Sequence, residues 1–167
     1  MGSSGSKNYN PRIIKRLSKI AQESFKEAKP EKRNVFISFD SRDIQDVNLL
    51  RGQAKNDDNE LEFNDYSLKE PFDSERAEYI KSGIRERIRQ ASVTVIYLSD
   101  VTRGSKWVDW EARESVTQGK GVICVHKGDT PPKHLPKFVD ELGLKVIPWK
   151  HEELRNAIET AAQKRNS

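Results

Sequence analysis

Short apolar runs alternate with helically spaced apolar positions from residue 34 to the end of the chain. Asn34-Val-Phe-Ile-Ser-Phe39 reads as a strand, and Ile44, Val47, Leu50 and Ala54 then mark one face of a helix opened by Ser41. Polar residues 56–59 turn the chain into a weaker strand, Leu61–Asn64. A loop over Asp65–Phe72 leads to a helix beginning near Asp73, with Ala77, Ile80, Ile84 and Ile88 inward. Val93–Leu98 is the strongest strand. A helix over 105–119 follows, then strand Val122–His126, a loop carrying Pro131 and Pro132, and a helix face of Leu135, Phe138, Val139 and Leu142. Leu144–Ile147 forms the last strand, and Leu154, Ala157, Ile158 and Ala161 the last helix face.

Five strands alternating with five helices predict an α/β fold with a doubly wound, all-parallel sheet, since parallel neighbours need crossover helices and these cover both faces. The expected arrangement is flavodoxin-like, five-stranded in the order 2-1-3-4-5, with an extra N-terminal amphipathic helix. The runs 93–98 and 122–126 are apolar on both faces, as central strands must be. Ligands of such sheets bind beyond the C-terminal strand ends, near the point where strand order reverses. The search for chemistry therefore narrows to the loops 39–43, 65–73, 99–111 and 127–129.

The N-terminal helix is legible from Asn10 as cap, Pro11 at the first helical position, and a stripe of Ile13, Ile14, Leu17, Ile20, Ala21, Phe25 and Ala28 that stops before Pro30. That stripe requires burial on the domain, on a second copy, or as a basic amphipathic surface against a membrane or another anionic partner. Charge separates this segment from the rest. The chain of 167 residues has 30 Lys+Arg against 26 Asp+Glu, but residues 1–33 hold nine of the bases and three of the acids. A basic N-terminal segment (1–33) thus precedes a mildly acidic domain (34–167), and no specific nucleic-acid face is expected on the domain.

Other classes fall away on composition and motif. No apolar run approaches the roughly 18 residues of a membrane-spanning helix. The lone Cys124 lies among Val122, Ile123 and Val125 and reads as a small buried side chain; with no apolar leader in Met1–Ser6, a reducing, cytoplasmic setting is expected. GxGxxG, GxxxxGK[ST], GxSxG and CxxC patterns are absent, which disfavours dinucleotide-redox, P-loop, serine-hydrolase and zinc chemistry. His126, His134 and His151 lack ligand spacing and read as surface or strand-end residues. No cofactor or metal is expected.

The sharpest local feature is Ser105-Lys-Trp-Val-Asp-Trp-Glu111. Trp107 and Glu111 are four residues apart and share a helix face. With Val108, Ala112, Ser115 and Val116 forming the adjoining stripe, Glu111 should lie at its margin. Partial desolvation would raise the pKa of a carboxyl there and fit it for proton handling or for stabilising positive charge. The plainer alternative is an acid that complements the helix macrodipole, the role expected of Asp109.

Val35-Phe-Ile-Ser-Phe-Asp-Ser-Arg-Asp43 resembles the first strand and turn of TIR domains, and Ser105–Glu111 resembles that family's W-[CV]-x-x-E box, whose glutamate is catalytic in the NAD-consuming members. Leu61–Pro71 sits where the second strand and BB loop should be, and Val93–Ser99 where the third strand should be. The resemblance covers about residues 33–163. It is nearest to the bacterial TIR-like branch that includes the TIR component of the Thoeris antiphage system; the basic N-terminal helix is no part of the pattern. It implies an NAD glycohydrolase, or ADP-ribosyl cyclase or transferase, making a linear, cyclic or conjugated ADP-ribose signal for a separate effector protein, with NAD as substrate and self-association into a homo-oligomer. It also implies roles: Glu111 at the ribose, Trp107 packed beside it, and Phe39, Asp40, Asp65, Ser67, Pro71 and Ser99 around the pocket mouth.

Two other readings stay open on the residues alone. One is a TIR-like interaction module that signals by self-association, with Trp107 and Glu111 structural. The other places a phosphoacceptor receiver or a nucleoside deoxyribosyltransferase on the same sheet; Asp40, Asp43, Asp100 and Lys150 loosely satisfy the receiver, but it leaves the tryptophan box unexplained.

Overall fold

The computed structural model describes residues 10–27, 33–57, 61–65 and 70–164. The chain divides into two compact units, Met1–Glu31 and Lys32–Ser167.

Among its described residues the first unit holds one helix, α1 (Pro11–Glu27). Asn10 caps it as the sequence predicts: its side-chain oxygen accepts from Arg12 N at 3.0 Å, and its carbonyl accepts from Ile13 N and Ile14 N. The side chains of Ala21 and Phe25, together with Ala28 and Pro30, lie outside the described residues.

The second unit is a five-stranded, all-parallel sheet in the order β2-β1-β3-β4-β5. The strands are β1 (Arg33–Ser38), β2 (Leu61–Asn64), β3 (Val93–Leu98), β4 (Gly121–His126) and β5 (Lys145–Pro148). The helices are α2 (Ile44–Asp57), α3 (Ala77–Gln90), α4 (Lys106–Thr117), α5 (Lys137–Glu141) and α6 (His151–Lys164). This is the flavodoxin-like order expected, and it puts the reversal of strand order between neighbours β1 and β3.

Alternation along the strands sorts the core onto two faces. Val35 and Ile37 of β1, Val93, Val95 and Tyr97 of β3, and Ile123 and Val125 of β4 pack with Val47 and Leu50 of α2 and Leu154, Ile158 and Ala162 of α6. Phe36 faces the other way, onto Ile80, Ile84 and Ile88 of α3. On that same side Ile96, Leu98 and Cys124 pack with Val108 and Ala112 of α4 and Phe138 and Val139 of α5. Cys124 is buried, as its neighbours implied, and desolvation pushes its thiol up to about 12. Among the described residues no helix is long and apolar enough to cross a membrane.

Several element edges differ from the sequence reading. The first strand ends at Ser38, and Phe39 begins the turn. A 3₁₀ turn, Ser41–Asp43, precedes α2, and its cap is Asp40 rather than Ser41: the Asp40 carboxylate accepts from Arg42 N at 3.0 Å. The third helix begins at Ala77, not near Asp73, because residues 72–76 are spent in turns closed by Ser74 N to Pro71 O and Ala77 N to Ser74 O. The helix expected over 105–119 is α4, with Ser105 outside it as N-cap. It stops at Thr117, and Gly119 follows at φ 74°, a conformation open to glycine without a Cβ penalty. In α6 Ala162 is buried in addition to the expected face, and Ala157 and Ala161 pack, partly buried, against the same core.

Candidate functional site

Helix α4 begins where Ser105 Oγ accepts from Val108 N at 3.4 Å, and it lies on the β1, β3 and β4 side of the α3–α5 layer. Its buried residues are Val108, Glu111, Ala112 and Ser115, an i, i+3, i+4, i+7 set, while Val116 is exposed. This corrects the sequence reading. The buried stripe is rotated one position from the expected one, so Glu111 is at its centre and not at its margin, and the residue is 0% exposed. Its carboxylate Oε1 accepts from Ser38 Oγ at 3.2 Å. Ser38 is the last residue of β1 and fully buried too. A carboxylate is thus held under the C-terminal end of the strand that borders the switch point.

A second polar contact pins the same helix one turn on. Ser115 Oγ donates to Glu111 O at 2.8 Å and lies 2.9 Å from Thr94 Oγ1. Ser115 has one hydroxyl proton, so Thr94 is the donor in the second contact. All four groups, Ser38, Thr94, Glu111 and Ser115, are buried between α4 and strands β1 and β3.

Trp107, the aromatic residue of the box, is turned toward the loop before α3. Trp107 is half-buried against the Phe36, Ile80, Ile84 and Ile88 cluster, and its indole Nε1 donates to Glu70 O at 2.7 Å. Phe72 meets it edge-on with ring centroids 5.0 Å apart, and Lys81 Nζ lies 4.4 Å from the Phe72 centroid. Lys106 Nζ reaches Asp73 Oδ2 at 3.0 Å. Residues 70–73 are therefore fastened to the first turn of α4.

The remaining predicted residues fall into separate groups. Phe39 is buried with the α2-side core. Asp40 is engaged by Arg42, whose Nε is 2.8 Å from Oδ1, and that hydrogen bond holds its carboxyl below the ordinary value. Asp65 pairs with Arg51 at 3.2 Å, and the same guanidinium donates to Phe63 O, which closes the end of β2. Pro71 is exposed in the turn before α3. Ser67 lies outside the described residues. Ser99 does sit at the strand ends: its hydroxyl donates to Asp43 Oδ2 at 2.6 Å.

Asp43 begins a line of polar groups across the β1, β3 and β4 ends. Desolvation raises its pKa most, and the charges of Asp40 and Asp46 add to the rise against the opposing pull of the Ser99 hydrogen bond. Tyr97 OH donates to Asp46 Oδ2 at 3.4 Å and Lys127 Nζ to Asp46 Oδ1 at 3.1 Å; burial, then the nearby carboxylates, push the Tyr97 phenol up. A cleft of about 400 Å³ lined by Tyr97, Ser99, Asp100, His126, Lys127 and Pro131 opens beside them. A larger one of about 540 Å³ lies at the start of β4 against α6, away from these loops. Of the receiver-like residues, Asp100 is exposed and Lys150 pairs with Asp129 at 3.4 Å.

Ser38, Asp43, Thr94 and Ser115 are absent from the expected site. Three carry one readable signal, a small hydroxyl residue at a position that periodicity assigns to the core. Asp43 is singled out in the sequence only within the first-strand box and as one of the receiver-like acids, because its place beside Ser99 comes from loops that only the fold brings together.

Comparison with known proteins gives the following. A family model described as Thoeris protein ThsB, TIR-like domain, matches residues 36–131, more than half of the chain. Similar solved structures include the TIR domains of the activated Roq1 resistosome directly recognizing the pathogen effector XopQ, at 18% identity and TM-score 0.42, covering 59% of this chain and 60% of that one. Another is a 3-dehydroquinate dehydratase-like protein from Bifidobacterium longum, at 13% identity and TM-score 0.39, covering 81% of this chain and 98% of that one. No match is found among curated proteins.

Proposed function

The chain belongs to the TIR-like domain family of the Thoeris protein ThsB, and from that membership we propose that it cleaves NAD at the nicotinamide–ribose bond, with Glu111 as the catalytic carboxylate. The observation that carries this reading is the placement of Glu111, on the box helix α4 and against Ser38 at the end of β1. Breaking that bond takes the ribose through an oxocarbenium-like state, which a carboxylate beside the sugar stabilises. Nicotinamide leaves neutral from a cationic ring and needs no general acid. Water capture of the ribosyl cation gives ADP-ribose and one proton, attack by a group of the same nucleotide gives a cyclic product, and attack by another base gives a conjugate. The product would act as an antiphage immune signal on a separate effector protein, in the cytoplasm.

Full burial of Glu111 sets a condition on this chemistry. Substrate can reach the carboxylate only when the residues over it move apart, and self-association of the domain into a homo-oligomer is the event proposed to do so. The same burial favours a second reading, in which Glu111 and Ser38 are a structural couple and the domain signals by self-association without catalysis.

Incubation of the protein with NAD over a range of protein concentrations, with nicotinamide release followed beside Glu111→Gln, separates the two. Release that falls at least about 100-fold in a folded variant, as expected when a transition-state electrostatic group is removed, carries the enzymatic reading. Equal release from both proteins removes Glu111 from the mechanism. Absence of release from either, with association rising with concentration, carries the second reading.

A further inference from the structure

We propose that Ser38 is the positioning residue for the Glu111 carboxylate, holding the oxygen that faces it in one orientation under the end of β1. The inference rests on the catalytic assignment of Glu111 made above.

The argument starts from the sequence. In Val35-Phe-Ile-Ser38 a hydroxyl ends an otherwise apolar run and occupies its inward register, on the same side as Phe36. Such a group costs free energy to bury unless it finds a partner, and the partner here is Glu111 Oε1 at 3.2 Å. A serine hydroxyl that donates to a carboxyl oxygen does more than satisfy itself, because the bond is directional and fixes which way that oxygen points.

Both ends of this contact stand on rigid parts. Ser38 pairs in register with Ile96 of β3, inside a sheet that has strands on both sides of β1. The backbone of Glu111 is fixed by the Ser115 hydroxyl on its carbonyl and, through it, by Thr94 of β3. With the backbone held by one couple, the remaining freedom of Glu111 lies in its side-chain torsions, and Ser38 restricts those. A small misplacement of a reacting carboxylate is expensive in rate, whereas substrate binding elsewhere on the nucleotide does not depend on it. Ser38 should therefore act on kcat and leave KM nearly alone.

The test compares Ser38→Ala, which removes the hydroxyl, with Ser38→Thr, which keeps it on a strand-favouring residue, each at a thermal midpoint close to the parent's. In the NAD assay the alanine variant should lose about 10- to 100-fold in kcat, the range for a hydrogen bond to a charged group, with KM changed less than about twofold. The threonine variant should recover most of the loss. A second readout needs no turnover: the ¹³C carboxyl resonance of Glu111, identified by its loss in Glu111→Gln, should move in Ser38→Ala and stay near its place in Ser38→Thr. If kcat and the resonance are both unchanged in a folded Ser38→Ala protein, the proposal is wrong. If the parent protein releases no nicotinamide, the enzymatic reading fails by itself, and the resonance alone decides whether Ser38 sets the carboxylate.

Discussion

The indole N–H of Trp107 donates to the carbonyl of Glu70 across 2.7 Å, so the most recognisable residue of the α4 box is tied to the loop that precedes α3. Its ring also meets Phe72 edge-on and borders Trp110, with centroids 5.0 and 6.3 Å away. Hydrogen bond and ring contacts can be separated by substitution. Trp107→Phe keeps an aromatic against Phe72 and loses the donor, at a cost of about 1 kcal/mol for the bond. Trp107→Ala should cost about 3 kcal/mol, the low end for a large aromatic because the ring is only half-buried. Denaturant unfolding checks both values. In Trp107→Phe, limited proteolysis should show cleavage near residue 70 faster than that loss of global stability accounts for; equal cleavage in both proteins would show that the indole bond does not hold that segment.

Asp43 supplies a pH dependence with a definite sign. Its folded pKa is raised, first by desolvation and then by Asp40 and Asp46, with Ser99 and Arg42 opposing. A carboxyl raised on folding contributes its stability below the unfolded value of about 4 and loses it as pH climbs through the folded value. Asp43→Asn does not titrate and keeps an oxygen for the Ser99 hydroxyl. The parent should therefore lose stability relative to Asp43→Asn as pH rises from about 4 to just above the raised pKa, and the gap should stay constant at higher pH. Thermal midpoints of both proteins between pH 3.5 and 8 read this directly, and a parent that gains stability relative to Asp43→Asn as pH rises would contradict the assignment.

Strand content was legible because burial on both faces leaves continuous apolar runs, as at Val93–Leu98, where every residue is buried. The start of α4 was legible because Ser105 is a strong cap followed by an acid in the first turn. The start of α3 was not. Asp73 has the type of a cap residue, yet its carboxylate pairs with Lys106, 33 positions away, and the helix begins at Ala77. Glu111 lies deeper than its sequence position suggests, for a related reason. Periodicity gives the face of a helix to within one residue, and only the seating of α4 against β1 and β3 decides that Glu111, and not Val116, is at the centre. Asp40 and Asp65 pair with Arg42 and Arg51, partners that residue type alone does not reveal.

The Thr94–Ser115 contact offers a measure of how much the polar couples contribute to seating α4. Thr94→Val removes the donor to Ser115, and Ser115→Ala removes both that acceptor and the bond to Glu111 O. Each leaves a buried polar group short of a partner, at about 1–2 kcal/mol. The serine change recovers about half a kcal/mol, since alanine is the better residue in a helix interior. The double variant Thr94→Val/Ser115→Ala leaves neither hydroxyl in place, so it should cost less than the two singles added together, by about 1 kcal/mol. Urea unfolding of the four proteins in a double-mutant cycle checks this. A coupling near zero would mean that the two hydroxyls are neighbours without mutual dependence, and that apolar packing of Val108 and Ala112 on Ile96 and Leu98 seats the helix.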